Sequence, residues 1–146
     1  MIRRFTLILA LAFPAAPVLA DDDYMPPVTH PATAEECSAC HMAYPAGFLP
    51  ARSWQAIMGN LENHFGEDAR LDEATRAEIE AYLVSNAAPR VRGVAETATP
   101  LRISELPWFK REHEREVSAR MMERAKSMSN CVACHKGAER GYFEDD

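Results

Sequence analysis

All four cysteines of the chain fall in two five-residue units of one form, "CSACH" at residues 37–41 and "CVACH" at 131–135. Each unit sets two sulfurs three residues apart and puts a histidine directly after the second. Residues three apart lie on one face of a helical turn. Sulfurs so placed can add to the two vinyl groups along one edge of a haem, and the histidine then falls under the iron. This is why C-x-x-C-H is the attachment signature of a covalent c-type haem. Rival readings explain less. Disulfides are common in exported chains but need no histidine after each pair. A thioredoxin-like pair belongs in a βαβ pattern, and the sequence shows none. A zinc ribbon sets its pairs roughly 15–20 residues apart, whereas here about ninety residues intervene. The units therefore predict two covalent haems, held by Cys37, Cys40, Cys131 and Cys134, with His41 and His135 each supplying one axial ligand.

Two such groups suit a chain of this size. Residues 1–20 begin with Arg3 and Arg4, run apolar from Phe5 to Phe13 and end in small residues, with Val18 and Ala20 at cleavage-site spacing. That is the pattern of a secretory signal. The apolar run is also short of the roughly 20 residues a spanning helix takes. The expectation is cleavage near Ala20, a periplasmic location and a soluble monomer. What remains is one domain or two very small ones. Units below ~70–80 residues rarely build a sufficient apolar core unaided, and a covalent haem supplies a large flat apolar surface to fold around. The formal charge of the whole chain is −6, and losing Arg3 and Arg4 makes it more negative. Nucleic acid is thereby excluded, since phosphates select basic faces. A basic protein partner could be steered by such a field.

The hydrophobic pattern predicts an all-α chain of two haem-binding units. The expected division is 1–20 signal, 21–89 first haem domain, 90–103 linker and 104–146 second haem domain. Thr33 and Glu36 stand at capping-box spacing, predicting a helix that carries Cys37, Cys40 and His41 and ends before Pro45. A second helix is expected from a Ser53 cap, through Trp54, Ile57, Met58, Leu61 and Phe65, to a stop at Gly66. A third is expected from Asp72, with Ile79, Tyr82 and Leu83 facing inward. Residues 87–103 have no sustained period and read as connection. Residues 104–130 read as one long helix, with Pro107 tolerable in its first turn and Leu106, Phe109, Val117, Met121 and Met128 on one face.

The far side of each iron decides what such a chain can do. One axial ligand leaves an open centre; two make a closed one suited to electron transfer. The usual second ligands are methionine, which raises the potential, or histidine. No methionine lies between Met58 and Met121, and Met58 sits among core positions. His64 is the only histidine between residues 42 and 86, and is the expected distal ligand of the first haem. The second motif is followed by eleven residues without His or Met, so its distal ligand must come from upstream. His113 lies in the apolar stripe between Phe109 and Val117, where a buried imidazole needs a partner. Met121 and Met128 are its rivals, with pocket packing as their plainer role. His30 is a spare in an extended segment. The simplest pairing is His41 with His64 and His135 with His113, each within its own unit; a crossed arrangement also stays open to the sequence. Arg52 is a candidate for pairing with a haem propionate, against a solvated loop arginine. Tyr44 and Trp108 are candidate haem contacts, and Tyr142 and Phe143 candidate covers for the second haem edge.

The stretch from "ECSACHMAYPAGFLPARSW" through "IEAYLVSNAA", with "LRISELPWFKREHERE" and "SNCVACHKGA", resembles the small dihaem cytochromes c of photosynthetic and other proteobacteria. The resemblance covers roughly residues 34–141. It implies a first domain like a class I cytochrome c and a smaller, less regular second one. It also implies two low-potential, two-histidine haems close together. Its partners would be a small high-spin cytochrome c as electron acceptor and a membrane b-type cytochrome as donor. His64 and His113 lie within the matching stretches, and His30 outside them. The reading is an electron carrier rather than an enzyme. Its alternatives are a peroxidase or nitrogen-oxide reductase with one open iron, or the electron-transfer subunit of a periplasmic reductase.

Overall fold

The computed structural model describes residues 24–144; the expected signal segment lies outside them. Five α-helices follow in order: α1 (Pro31–Cys37), α2 (Ala51–Met58), α3 (Glu73–Ser85), α4 (Pro107–His113) and α5 (Ala119–Ala125). Short 3₁₀ turns stand between and after them, at Ala46–Phe48, Leu61–Asn63, Ile103–Glu105, Cys131–Ala133 and Ala138–Arg140. The described residues contain no strand, only isolated bridges between Tyr24 and Tyr142 and between His64 and Glu67. The all-α expectation holds.

Local chemistry sets the helix ends, and those of two helices correct the sequence reading. α1 begins at Pro31 rather than Thr33, because proline is pre-organised for the first helical position. His30 is its cap, with the ring accepting from the Thr33 amide. The helix stops at Cys37, so Cys40 and His41 lie on the turn that follows it. α2 starts after Pro50, and Ser53 is a fully buried first-turn residue instead of the cap. It ends at Gly59, earlier than Gly66, since glycine loses most backbone freedom in a helix. α3 matches its expected start: the Asp72 carboxylate accepts from the Ala74 and Thr75 amides, the usual N-cap arrangement.

The expected long helix over 104–130 is a third correction, because it is two short ones. After α4 the His113 carbonyl accepts from both Glu116 and Val117 amides, closing a turn. Ser118 then caps α5 by accepting from the Met121 amide. A serine that can bond a nearby amide favours caps over helix interiors, and the β-branched Val117 before it adds little helix preference. The left-handed Lys126 ends α5.

α2 and α3 pack on each other through Trp54, Met58, Ile79 and Leu83, with Leu49 and Leu61 beside them. Ile79 has no exposed surface, and a side chain of this kind contributes about 1.5–3 kcal/mol when fully buried. The same cluster continues through Val91, from the segment expected to be a linker, to Leu106 and Phe109 of the second unit. The connecting segment lies against the first unit. The Ala88 amide donates to the Leu49 carbonyl at 3.0 Å, and Arg102 places its guanidinium 4.2 Å from the Phe65 ring centre.

The two ends of the described chain meet. The Met25 amide donates to the Gly141 carbonyl at 2.8 Å, and the Tyr24 and Tyr142 rings lie 5.0 Å apart. Gly141 is required there: its φ is +86°, and a Cβ would lie 2.0 Å from the Met25 carbonyl oxygen.

Candidate haem sites

His41 stands on the turn after α1. Its Nδ1–H donates to the Met42 carbonyl at 2.7 Å, which leaves the Nε2 lone pair free. On a metal-binding histidine this division of roles fixes both tautomer and ring direction. His64 sits at the corner after the Leu61–Asn63 turn, where the following Phe65 and Gly66 take left-handed angles of +57° and +107°. The reversal is closed by hydrogen bonds in both directions between His64 and Glu67. The His41 and His64 ring centres are 6.1 Å apart with planes 20° from parallel. Burial, helped by His41 and Arg102 nearby, pushes the His64 imidazole below its ordinary pKa and favours the neutral form that binds metals.

His113 is the last residue of α4. Its Nδ1–H donates to the Phe109 carbonyl at 2.8 Å, and its ring lies flat on the Phe109 ring, 3.9 Å away and tilted by 8°. His135 follows the Cys131–Ala133 turn, with its amide donating to the Cys131 carbonyl. Its Nδ1–H donates to the Glu144 carbonyl at 3.0 Å, and Phe143 stands edge-on at 5.9 Å. The His113 and His135 centres are also 6.1 Å apart, but their planes cross at 82°.

These separations test whether the residues fit a haem. Metal–imidazole bonds run about 2.0–2.1 Å and the ring centre lies roughly 1 Å beyond the nitrogen, so rings on opposite sides of one metal have centres about 6 Å apart. Both pairs meet that distance, and the direct pairing, not the crossed one, is the arrangement in which the rings lie this close. The cysteines fit as well. None is in a disulfide, and each pair brackets a turn that leads to its histidine. Burial raises the Cys37 thiol and pushes Cys131 up to about 11. Among the described residues no cluster of three or more His, Cys, Asp or Glu side chains is placed to hold a metal ion by itself.

The remaining candidates sort by their contacts. His30 is engaged at both nitrogens, by Thr33 at 2.9 Å and Glu78 at 3.0 Å, and stacks on Tyr82; it holds α1 against α3. Met58 is a core residue, and Met128 packs on the core's edge. Met121 opens α5. Arg52 donates to the Ala95 carbonyl at 3.0 Å and to that of Ala98, tying the connecting segment to α2. Trp108 packs against Phe48, with ring centres 5.8 Å apart. Phe143 lies between Phe48 and His135, while Tyr142 pairs with Tyr24. Tyr44 stacks on His41 at 4.8 Å and 18°, and its hydroxyl donates to the Ser129 carbonyl at 2.6 Å. Burial pushes this phenol up, so it stays a donor.

Sequence reasoning passed over four contributors: the flat partner Phe109, the Ser129 carbonyl, the Glu144 carbonyl and Arg102. Only Phe109 left a signal, since it precedes His113 by four residues, the helical spacing of face-sharing side chains.

A family profile described as dihaem cytochrome c matches residues 33–143. The chain is similar to a solved diheme cytochrome c from Rhodobacter sphaeroides, with 67% identity and a TM-score of 0.77 over 80% of this chain and 98% of that one. A second structure, of protein purified from the same organism, gives 68% and 0.73 over 80% and 99%. A diheme cytochrome c from Shewanella baltica OS155 gives 44% and 0.66 over 77% and 85%. Among curated proteins none matches.

Proposed function

The chain belongs to the dihaem cytochrome c family, electron-transfer proteins with two c-type haems, and from that premise we propose that histidine closes both irons on both sides. His41 and His64 serve the first haem, and His135 and His113 the second. One observation carries this reading: two histidine pairs with the same 6.1 Å separation, in which three of the four rings hand Nδ1–H to a backbone carbonyl.

When bound, each haem supplies an iron that cycles between ferric and ferrous. The protein's part is to fix four imidazoles so that neither oxidation state demands a change of ligand. The carbonyls of Met42, Phe109 and Glu144 orient three of them and raise their basicity, and two imidazoles in place of a thioether keep the potentials low. With no open position at either iron, the protein is a carrier rather than an enzyme. Among the described residues no helix is long and apolar enough to cross a membrane. We place the carrier in the periplasm as a monomer, behind a cleaved signal. Its acceptor is a small high-spin cytochrome c and its donor a membrane b-type cytochrome. The support for these partners is the resemblance seen in the sequence, together with a negative charge that steers association.

The test is the low-temperature electron paramagnetic resonance spectrum of the ferric protein, with far-red absorption and carbon monoxide binding on the same sample. Two low-spin signals, no methionine-to-iron band and no carbon monoxide uptake are expected. A stoichiometric high-spin signal would replace the carrier by an enzyme or gas binder, and a methionine band would replace one histidine. Mixing the reduced protein with a ferric high-spin cytochrome c then tests the acceptor: rapid oxidation that slows with added salt is expected.

A further inference from the structure

Tyr44 bridges the first haem motif and the segment that leads into the second. It follows His41 by three residues, and its ring lies on the His41 imidazole at 4.8 Å with planes 18° apart. Its hydroxyl crosses to the second motif, donating at 2.6 Å to the carbonyl of Ser129, two residues before Cys131. The Ser129 backbone is itself held: its amide donates to the Ser127 hydroxyl oxygen at 3.1 Å, and the two serine hydroxyls share another bond at 2.7 Å. Asn130 next to it is tied back to α5 through the Ala125 carbonyl. The tyrosine therefore reaches a braced segment that leads straight into a haem-anchoring cysteine.

We propose that Tyr44 is a positioning residue that couples the two iron sites, its ring setting the plane of His41 and its hydroxyl setting the Cys131 anchor relative to that plane. The two halves of the side chain have separate jobs. A stacked ring restricts rotation of the imidazole about its bond to the metal, and ligand-plane direction is among the features that shape a haem iron's electronic state. A phenol bonded to a carbonyl fixes distance and direction, here between chain segments 85 residues apart. A tyrosine kept only to fill space would need neither the parallel approach to His41 nor the crossing bond.

The proposal rests on two-histidine ligation, and the experiment separates the two. Wild-type, Tyr44→Phe and Tyr44→Leu holoproteins, each verified to carry two haems, are compared by electron paramagnetic resonance and by redox titration. Signals are assigned with His64→Ala and His113→Ala. A wild type without two low-spin signals would overturn the ligation itself. Given two, Tyr44→Phe is expected to leave the first signal in place and shift the second signal and its midpoint potential, while Tyr44→Leu shifts both. Signals and potentials that stay at wild-type values in both variants, with only the melting temperature lowered, would reduce Tyr44 to a packing residue and overturn the proposal. A Tyr44→Phe protein whose first signal alone moves would overturn it too. Because Tyr44→Phe keeps the ring, it decides the question even if Tyr44→Leu fails to load haem.

Discussion

The two histidine pairs have the same ring separation and opposite geometry. His41 and His64 lie 20° from parallel, both on turns, and His64 has no side-chain hydrogen bond among the described residues. His113 and His135 cross at 82°, one at a helix end and one on a turn, and both rings are tied to carbonyls. If each pair holds one haem iron as proposed, the metal would set the distance between the two rings, and the angle between them is left to the protein. The first site sets that angle by short-range means: Tyr44 on one ring, and the Phe65–Gly66 reversal behind the other. The second sets it with the flat Phe109 contact on one side and the C-terminal segment on the other. Under the proposed ligation, the difference teaches that two pairs of the same residues at the same separation need not give equal irons.

The most severe way to break the comparison is to remove one ligand at a time. His64→Ala is expected to give a high-spin, carbon monoxide-binding first iron beside an unchanged second, and His113→Ala the reverse. Replacing His64 by Met instead should raise the first potential by a sizeable part of the about 0.8 V over which axial ligands tune haem. Spectra and titrations of the three proteins check this. Loss of both low-spin signals in either alanine variant would show that the sites are not independent.

Gly141→Ala should come next. Its φ of +86° and the 2.0 Å approach to the Met25 carbonyl make any side chain strained, at a cost of about 1–3 kcal/mol. Glu144 is three residues away, so the loss should fall on the second site first. Denaturant titration followed at each haem's signal should show that site giving way at lower concentration; simultaneous loss would mean the contact of the chain ends supports the whole molecule equally.

Phe109→Leu sharpens the contrast of angles. It keeps most of the core volume but removes the flat contact at 3.9 Å, worth about 0.5–1.5 kcal/mol beyond burial. The second signal should move or broaden while the first stays. The smallest expected effect is that of Arg102→Gln. This guanidinium is about half exposed and sits over Phe65, beside His64. Removing a partly screened positive charge should lower the first potential on the order of tens of mV and leave the second within error.

How much of this was legible beforehand depended on how far each determinant reaches along the chain. The cysteine units needed five residues. Asp72 and the Ile79–Leu83 stripe gave α3 within one window. His64 and His113 could be picked because so few histidines and methionines were available between the motifs. The pairing was not legible, since spacing says nothing of which rings face each other. The break at Ser118 was hidden because the apolar face continues past it, and periodicity cannot tell one helix from two that share a face. The start of α1 at Pro31 was overlooked in favour of a capping box that the buried, His30-bonded Thr33 does not form. Least legible of all were Ser129 and Glu144, which act through backbone carbonyls and carry no mark in side-chain identity.

The meeting of Met25 with Gly141 also imposes a timetable. A chain made from its N-terminus forms His41, Tyr44 and His64 early, with α2 and α3 soon after, so the first site can assemble from nearby parts. Tyr24 and Met25, which precede α1, have their partners beyond the second haem motif. Contacts of such long sequence separation form late, because closing the loop must precede the gain. The segment before α1 therefore waits for the segment after the second haem motif, and the second haem site is the clasp that closes last.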